Sequence, residues 1–413
     1  MRHCSGNYIK LCLYGFFQAF ILAYVIERLF WEQRGMTVQL MVYIEILYAL
    51  VAAALELPTA HLADRWSRKW MMVFGAFLAC FEFAILIFAT EFWHFAVVAI
   101  VAAVSGAAVS GTRNALLYDS LLTTGEGSTF EKKVGFLRFV DYGSHMLSAL
   151  LGGVVAMGYG LLTTYWWSLL ATALAFVFTL TLVEPPMHEP ESPRASEAPP
   201  APAKVAWSYL KQRPDLQSVM AYSVVTGACL IYVDEFWQIY AQRVGVPIAL
   251  FGLVLGAICL LSACSGLIAH RLKGVAPWRP LLTGLLVVFC AGVAVMAFVG
   301  SPWGVLLLLV AYWAAGLMEP LTVGYLHHRV PSSIRATAES YQSLVSRVVS
   351  AVVGIVFGFI ATRLGIFAGY KLLAGILAIA LVWYVTARPG DTAPLREEEG
   401  DAPSSLVARQ SPN

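Results

Sequence analysis

Long apolar runs dominate the pattern of hydrophobic and polar positions along the chain. Twelve runs are each long enough to cross a bilayer as one helix, at roughly 8–26, 37–63, 70–90, 93–118, 134–157, 161–183, 215–241, 248–270, 279–299, 303–327, 336–361 and 366–387. Hydrocarbon leaves no partner for unpaired backbone groups, so these runs predict helices. We number them span 1 to span 12 and expect an all-α integral membrane protein.

Composition supports this fold class and excludes others. The chain has 413 residues, of which 59% are hydrophobic and only 13% charged, about half the charged share of a soluble domain. A net charge of +2 argues against a nucleic-acid surface. Six of the seven cysteines lie in or beside apolar runs without CxxC spacing, so we expect small buried side chains rather than disulfides or a metal site.

One stretch interrupts the apolar pattern in the middle of the chain. Residues 184–204, EPPMHEPESPRASEAPPAPAK, contain seven prolines and predict an extended linker. The following VAWSYLKQRP predicts a short helix on the membrane surface. We therefore expect an N-terminal half at 1–183, a linker with its amphipathic segment at 184–214, a C-terminal half at 215–388 and a disordered cytoplasmic tail at 389–413.

Basic residues are distributed unevenly between the loops. With both termini on one side of the membrane, that side holds 19 of the 27 lysines and arginines, and the opposite loops hold four: Arg28, Arg34, Arg243 and Arg363. Because basic loops stay in the cytoplasm, the pattern predicts cytoplasmic termini.

The two halves contain related sequences. Ala60–Arg65 is similar to Gly266–Arg271, and Ser110-Gly111 to Ala315-Gly316, at a separation of about 205 residues. Ser144, Ser148 and Gly152 of span 5 correspond to Ser346, Ser350 and Gly354 of span 11. The matches predict two homologous halves of six helices.

A charged stretch lies between spans 2 and 3, Ala60-His-Leu-Ala-Asp-Arg-Trp-Ser-Arg-Lys69. It resembles the loop motif G-x-L-A-D-R-x-G-R-K of the major facilitator superfamily, with both glycines replaced. Further similarities are Glu56-Leu-Pro-Thr59, Ser110–Asp119, Trp237–Tyr240 and Arg335-Ala-Thr337. The chain thus resembles bacterial members grouped with drug efflux carriers. The resemblance implies twelve helices in a plasma (bacterial inner) membrane and alternating access between two halves.

The resemblance also implies a cytoplasmic latch made by the charges of this motif. Asp64 would accept hydrogen bonds from the first amides of span 11, while Arg65 would pair with Asp119 at the end of span 4. Arg68 and Lys69 complete the charged group. A simpler alternative is that the basic residues only hold the loop in the cytoplasm, although that role does not require Asp64.

Charged residues inside spans are costly and therefore functional candidates. The acids are Glu45, Glu56, Glu82, Asp141, Asp234, Glu235 and Glu319, and the bases are Arg113, Arg138 and Arg347, with His145 as a further titratable group. Glu82 has no assigned role beyond a pair with span 2 or protonation. Glu56 is expected to pair with a neighbour such as Arg113. Glu45 lies on the same face of span 2 as Glu56, and both a structural and a functional role are possible for it.

Three of these groups lie on one face of span 5. Arg138, Asp141 and His145 are spaced at i, i+3 and i+7. Either Arg138 and Asp141 form an internal ion pair, or Asp141 and His145 form a proton relay beside the cavity that span 5 borders in the resembled family.

Spans 7 and 10 carry the remaining candidates. Asp234, Glu235, Trp237 and Gln238 of span 7 form either an interfacial belt or a site for a cationic or amphipathic ligand. Glu319 precedes Pro320, where a broken helix near the midplane would mark a site.

The chain has no G-x-x-x-x-G-K-[ST] loop and no enzyme signature, so we expect a secondary transporter without a cofactor. The excess of intramembrane acids favours proton-coupled efflux of a cationic or amphipathic molecule, with Asp141, Asp234, Glu235 and Glu319 as proton carriers. We expect the transporter to be a monomer. One alternative is uptake of a metabolite, an anionic one being held by Arg113 or Arg347. Another is a ligand sensor that does not transport.

The latch gives a first prediction. Asp64→Asn keeps the side-chain size but removes the charge that would hold the first amides of span 11. We expect it to lower the transport rate in cells while the amount of protein in the membrane stays normal on an immunoblot. Full activity in this variant would exclude the latch.

Overall fold

The computed structural model describes residues 6–65, 67–185, 203–272 and 277–386. Its helices are α1 Asn7–Ala19, α2 Glu27–Gln33, α3 Val38–Arg65, α4 Arg68–Phe88, α5 Phe92–Val109, α6 Thr112–Thr124, α7 Phe130–Tyr159, α8 Leu161–Leu180, α9 Ala203–Lys211, α10 Pro214–Arg243, α11 Phe251–Leu272, α12 Trp278–Phe298, α13 Gly304–Arg329, α14 Ser332–Leu364 and α15 Ile366–Thr386. Most of the predicted linker and the tail from 389 lie outside the described residues.

The twelve predicted spans are confirmed in order. Within the described ranges ten helical stretches are long and apolar enough to cross a membrane, and α11 contributes a shorter apolar stretch, Ile248–Ser262. The remaining span is α7, which carries Arg138 and Asp141 in its sequence. The short helix α9 occupies the predicted amphipathic segment. The protein is an all-α membrane protein of two six-helix halves.

Two spans are interrupted, and they are not the one that the sequence predicts. Span 1 leaves the α-helix after Ala19, makes a 3-10 turn at Tyr24–Ile26 and resumes as α2. Span 4 breaks at Gly111, whose φ of +73° lies in the left-handed region that glycine tolerates. In contrast, α13 runs unbroken through Pro320, so the expected break at Glu319 is wrong. A proline removes only one backbone hydrogen bond, and buried neighbours such as Leu321 hold the helix together.

The main core joins buried residues of both halves, and the predicted repeat is visible in the packing. A methyl group added at Gly152 of α7 would lie 2.8 Å from Val25 in span 1. A methyl group added at Gly354 of α14 would lie 2.8 Å from the ring of Tyr232 in span 7. Equivalent glycines thus let spans 5 and 11 approach spans 1 and 7 closely, as expected for small residues at helix interfaces.

The halves meet near the end of the bundle opposite the first and last helix termini. We call this the distal end, and the other the terminal end. Helix α3 packs on α14, α7 on α11 and α2 on α10. At Gly252 a methyl group would lie 2.6 Å from the Cα atom of Leu150, and at Gly153 it would lie 2.7 Å from the carbonyl of Ile248. Backbones of opposite halves therefore touch at the distal end.

This close packing predicts a cost for any larger side chain at Gly252. Gly252→Ala should force α11 away from α7, and overpacking of about 1–3 kcal/mol would shift the population toward a distally open state by about 5- to 150-fold. Distances between spin labels at residues 91 and 302, in two distal loops, should lengthen. Gly256→Ala, one turn further on where the added methyl meets open space, is the matched control. Equal distance distributions in both variants would contradict the prediction.

Candidate functional site

A single buried arginine connects the two halves at the distal end. Arg28, near the start of α2, is only 4% exposed, and its Nη2 contacts the carboxylates of Glu45 on α3 and Glu235 on α10. Its guanidinium stacks on Trp31 with 4.7 Å to the ring centre. Because Glu235 belongs to the other half, the bridge exists only while the distal end is closed.

Gln238 strengthens the same connection through the interruption in span 1. Its Oε1 accepts a hydrogen bond of 2.9 Å from the backbone amide of Arg28, and its Nε2 donates one of 2.9 Å to the carbonyl of Tyr24. A broken helix leaves such backbone groups without helical partners. Gln238 therefore satisfies from one half the groups that the break frees in the other.

Further carboxylates surround the arginine. Glu27 lies within electrostatic range of Arg28, Glu45 and Glu235, and Glu82 lies within range of Glu27. One guanidinium charge thus faces three carboxyl groups, with Glu82 next to the nearest of the unbonded ones, Glu27. Like charges repel strongly away from water, so this arrangement concentrates negative charge around a single positive group.

Outer contacts complete the distal closure. The backbone amide of Gln39 donates to Thr362 Oγ1 at 2.9 Å, and its side chain donates to the carbonyl of Ile355 at 3.4 Å. Arg243 pairs with Glu32 across the halves in a more exposed position. The two halves are therefore joined at the distal end by several polar contacts besides those of Arg28.

The other candidates of span 7 have different surroundings. The carboxylate of Asp234 accepts a hydrogen bond from Tyr312 on α13, inside its own half. The indole of Trp237 is buried against Phe251, with 5.3 Å between ring centres. Phe236 and Tyr240 are also buried, so the proposed interfacial belt is wrong for these rings: they form the core between α10 and its neighbours.

A second ion pair lies within the N-terminal half. Arg113 on α6 donates from Nη1 and Nη2 to the two carboxylate oxygens of Asp141 on α7, at 2.7 and 3.0 Å. Gly15 on α1 leaves the room for this pair, because a side chain there would overlap both groups. The predicted pairs of Asp141 with Arg138 and of Glu56 with Arg113 are therefore wrong. Helix α6 brings Arg113 closer than α7 brings its own Arg138.

A polar cavity of about 350 Å³ adjoins this pair, toward the terminal end of the bundle. It is lined by α1, by the break between α5 and α6, and by α7. Its polar side chains include Gln18, Arg113, Asn114, Arg138 and Asp141. The break in span 4 contributes Ser110 and Gly111 to the wall, so the interruption and the charges meet at one place.

The structure does not bring the remaining span candidates into either group. The ring of His145 lies beside Tyr24, with 6.3 Å between centres, while Asp141 one turn away is engaged by Arg113. Glu319 is exposed on α13. Nη1 of Arg347 on α14 reaches the carbonyl of Ala49 at 3.5 Å, across the halves.

The charged stretch after span 2 organises the start of α4. Ser67 caps this helix, and the Glu184 carboxylate accepts hydrogen bonds from the amides of Arg68 and Lys69 at 3.0 and 2.7 Å. Asp119 pairs with Arg68, which differs from its expected partner Arg65. The side chains of Asp64 and Arg65 lie outside the described residues, so the latch stays a prediction.

Three residues of these sites, Glu27, Arg28 and Glu184, are not predicted from the sequence pattern. The predicted span 1 ends at residue 26, directly before α2, which leaves Arg28 in a loop and Glu27 outside the candidates. A signal was present: Val25–Trp31 is apolar around this one acid and one base, and the spans contain more acids than bases. Glu184 is the first residue of the predicted linker, so its contact with the start of α4 was not expected. Among the residues the structure describes, no His, Cys, Asp and Glu group could hold a metal ion.

The role of Gln238 can be tested. Gln238→Leu keeps the side-chain bulk but leaves the Arg28 amide and the Tyr24 carbonyl unpaired, at about 1–3 kcal/mol for each buried group. We expect longer distances between the distal labels at 91 and 302. Gln242→Leu, one turn later on the same helix and exposed, serves as the control. An unchanged distance in Gln238→Leu would exclude a part in the closure.

Comparison with solved structures identifies the fold. A mutant form of the nucleoside transporter NupG superposes with a TM-score of 0.75 at 13% identity, over 92% of this chain and 99% of that one. A bacterial homologue of the human lysosomal transporter Spinster, inward-facing and occupied, gives 0.70 at 12%, over 93% and 97%. A D-xylose–proton symporter gives 0.60 at 12%, over 93% and 96%.

The sequence itself shows the family. None of the curated proteins matches it. Residues 11–312, well over half of the chain, match the profile of the Major Facilitator Superfamily, which confirms the resemblance inferred from the loop motif. The chain belongs to the Major Facilitator Superfamily.

Proposed function

We propose that the protein is a proton-coupled secondary transporter that works by alternating access of its two halves. The observation that carries this proposal is the bridge from Arg28 to Glu45 in one half and Glu235 in the other. A buried ion pair between two rigid halves must break whenever the distal end opens. Protonation of either glutamate would weaken this ion pair, so proton binding and opening of the distal end would affect each other.

We assign the distal end to the outside, following the distribution of basic residues between the loops. With that orientation the described conformation is closed to the outside, and its cavity at Arg113 and Asp141 lies in the cytoplasmic half. Cargo would then bind or leave on the cytoplasmic side in this state.

Proton coupling follows from the charges around Arg28. Closing the distal end brings Glu235 to a guanidinium that already binds Glu45, with Glu27 and Glu82 nearby. Because this group tolerates few negative charges when water is excluded, closure favours proton binding from the outside. For the proton to cross the membrane, it must leave these carboxylates toward the cytoplasm before the distal end opens again.

Two cargo classes fit such a cycle. The acids and aromatic rings near the distal closure favour efflux of a cationic or amphipathic organic molecule in exchange for protons. The arginines of the cavity favour uptake of an anionic metabolite together with protons. A ligand sensor would share the binding site but would produce no flux.

The coupling can be measured in liposomes that contain purified protein and a trapped pH-sensitive dye. A panel of lipophilic cations, drugs and metabolites is added under an imposed pH gradient. With one or more compounds we expect a proton flux that Glu235→Gln reduces at least about tenfold, because the amide still contacts Arg28 but binds no proton. Asp141→Asn and Asp234→Asn test the other proposed proton carriers alongside.

The control is Glu131→Gln, an exposed acid at the terminal end of α7. Its flux should equal that of the unchanged protein. Flux that persists in Glu235→Gln would overturn the role of this bridge in coupling. Binding without flux for every compound would favour the sensor.

A further inference from the structure

We propose that the cavity between α1, α5, α6 and α7 binds the acidic group of the transported molecule, and that Arg138 is its direct cationic contact. This rests on the proposed transport function and names the chemical class of its cargo as a small organic monocarboxylate.

Asp141, the carboxylate in the wall of this cavity, already has a partner, as do three of the other intramembrane acids. Both oxygens of Asp141 accept hydrogen bonds from Arg113. Glu45 and Glu235 contact Arg28, and Asp234 accepts from Tyr312. A cationic cargo would have to displace one of these donors. Such an exchange leaves a partly buried charge without its partner, which is unfavourable.

The arginine of α7 is in the opposite situation. Arg138 is exposed and lines the cavity, and no ion pair or hydrogen bond holds its guanidinium among the residues that the structure describes. With Arg113 neutralised by Asp141, the cavity keeps one uncompensated positive charge. One charge is matched by one carboxylate.

The break in span 4 adds donors beside this charge. Helix α6 begins at Thr112, and its first backbone bond to the preceding turn is from Ala115 to the carbonyl of Gly111. The earlier amides of the helix have no partner within it, so this end is positively polarised. Gly111 and Asn114 both line the cavity, with Arg138.

The rest of the wall suits an organic body rather than an inorganic ion. The ring of Tyr14 and the apolar side chains of Val109, Val134 and Leu137 line the same space. A volume of about 350 Å³ lies at the lower end of the range for small-molecule sites. Arg138 can bind a carboxylate through two parallel N–H donors, while these apolar groups contact the carbon skeleton.

Thermal unfolding of the full-length protein in detergent tests this directly. Three probes with nearly the same skeleton differ in charge: phenylacetate, phenethylamine and phenylethanol. Inorganic phosphate is the fourth. We expect phenylacetate to raise the melting temperature with saturation and the other three to have little effect. Arg138→Gln should weaken the phenylacetate response about ten- to hundredfold.

Two further variants make the result specific. Lys132→Gln removes an equally exposed charge on the same helix outside the cavity wall, and should bind phenylacetate normally. Asn114→Asp adds a negative charge within the wall, and should weaken binding as Arg138→Gln does. Arg113 is left unchanged, since removing it would leave the partly buried Asp141 without its partner.

Each contrary result overturns the inference. Stabilisation by phosphate alone would indicate an inorganic anion site, and stabilisation by the amine a cation site. No response to any probe, or a phenylacetate response equal in Arg138→Gln, would also exclude it. The flux assay is independent of this binding test. Phenylacetate binding without any flux would contradict the transport proposal and support the carboxylate site. Flux with cations only would support transport and contradict the carboxylate site.

Discussion

The distal half of the bundle is organised around the need to satisfy one guanidinium away from water. Arg28 is almost fully buried, and a buried charge without partners is very costly. Its own half supplies Glu45, and the other half supplies Glu235. The closed distal end and the stability of Arg28 therefore depend on each other, which turns an electrostatic requirement into a mechanical connection.

The interruption of span 1 makes this connection possible. A continuous helix would use the amide of Arg28 and the carbonyl of Tyr24 in its own hydrogen bonds, and Gln238 would find no partners. Irregular backbone is tolerated at membrane depth only where protein or water satisfies it. Here the opposite half does so, and the break in span 4 instead borders the cavity.

The two ion pairs differ in what a movement of the halves requires. Arg113 and Asp141 both belong to the N-terminal half, so their bidentate pair can persist through the cycle and fix α6 against α7. The contact between Arg28 and Glu235 joins different halves, so the proposed alternating-access cycle requires it to break and re-form. The two regions also differ in charge: acids outnumber bases around Arg28 at the distal end, and the cavity has one more arginine than carboxylates.

The architecture of the protein can be predicted from its sequence. Apolar length, the linker composition and the loop motif predicted the twelve helices, the two halves and the family, because hydrocarbon imposes helix length and polarity locally. The sequence also marked Glu45, Asp141, Glu235 and Gln238 as unusual. Their partners follow from the packing of the helices. Glu45 and Glu235 contact Arg28, which the sequence pattern placed in a loop, and Asp141 binds Arg113 rather than Arg138. In the same way Asp119 pairs with Arg68 instead of Arg65. Pairing depends on where helices break and cross, and those positions follow from packing between distant segments rather than from spacing along one helix.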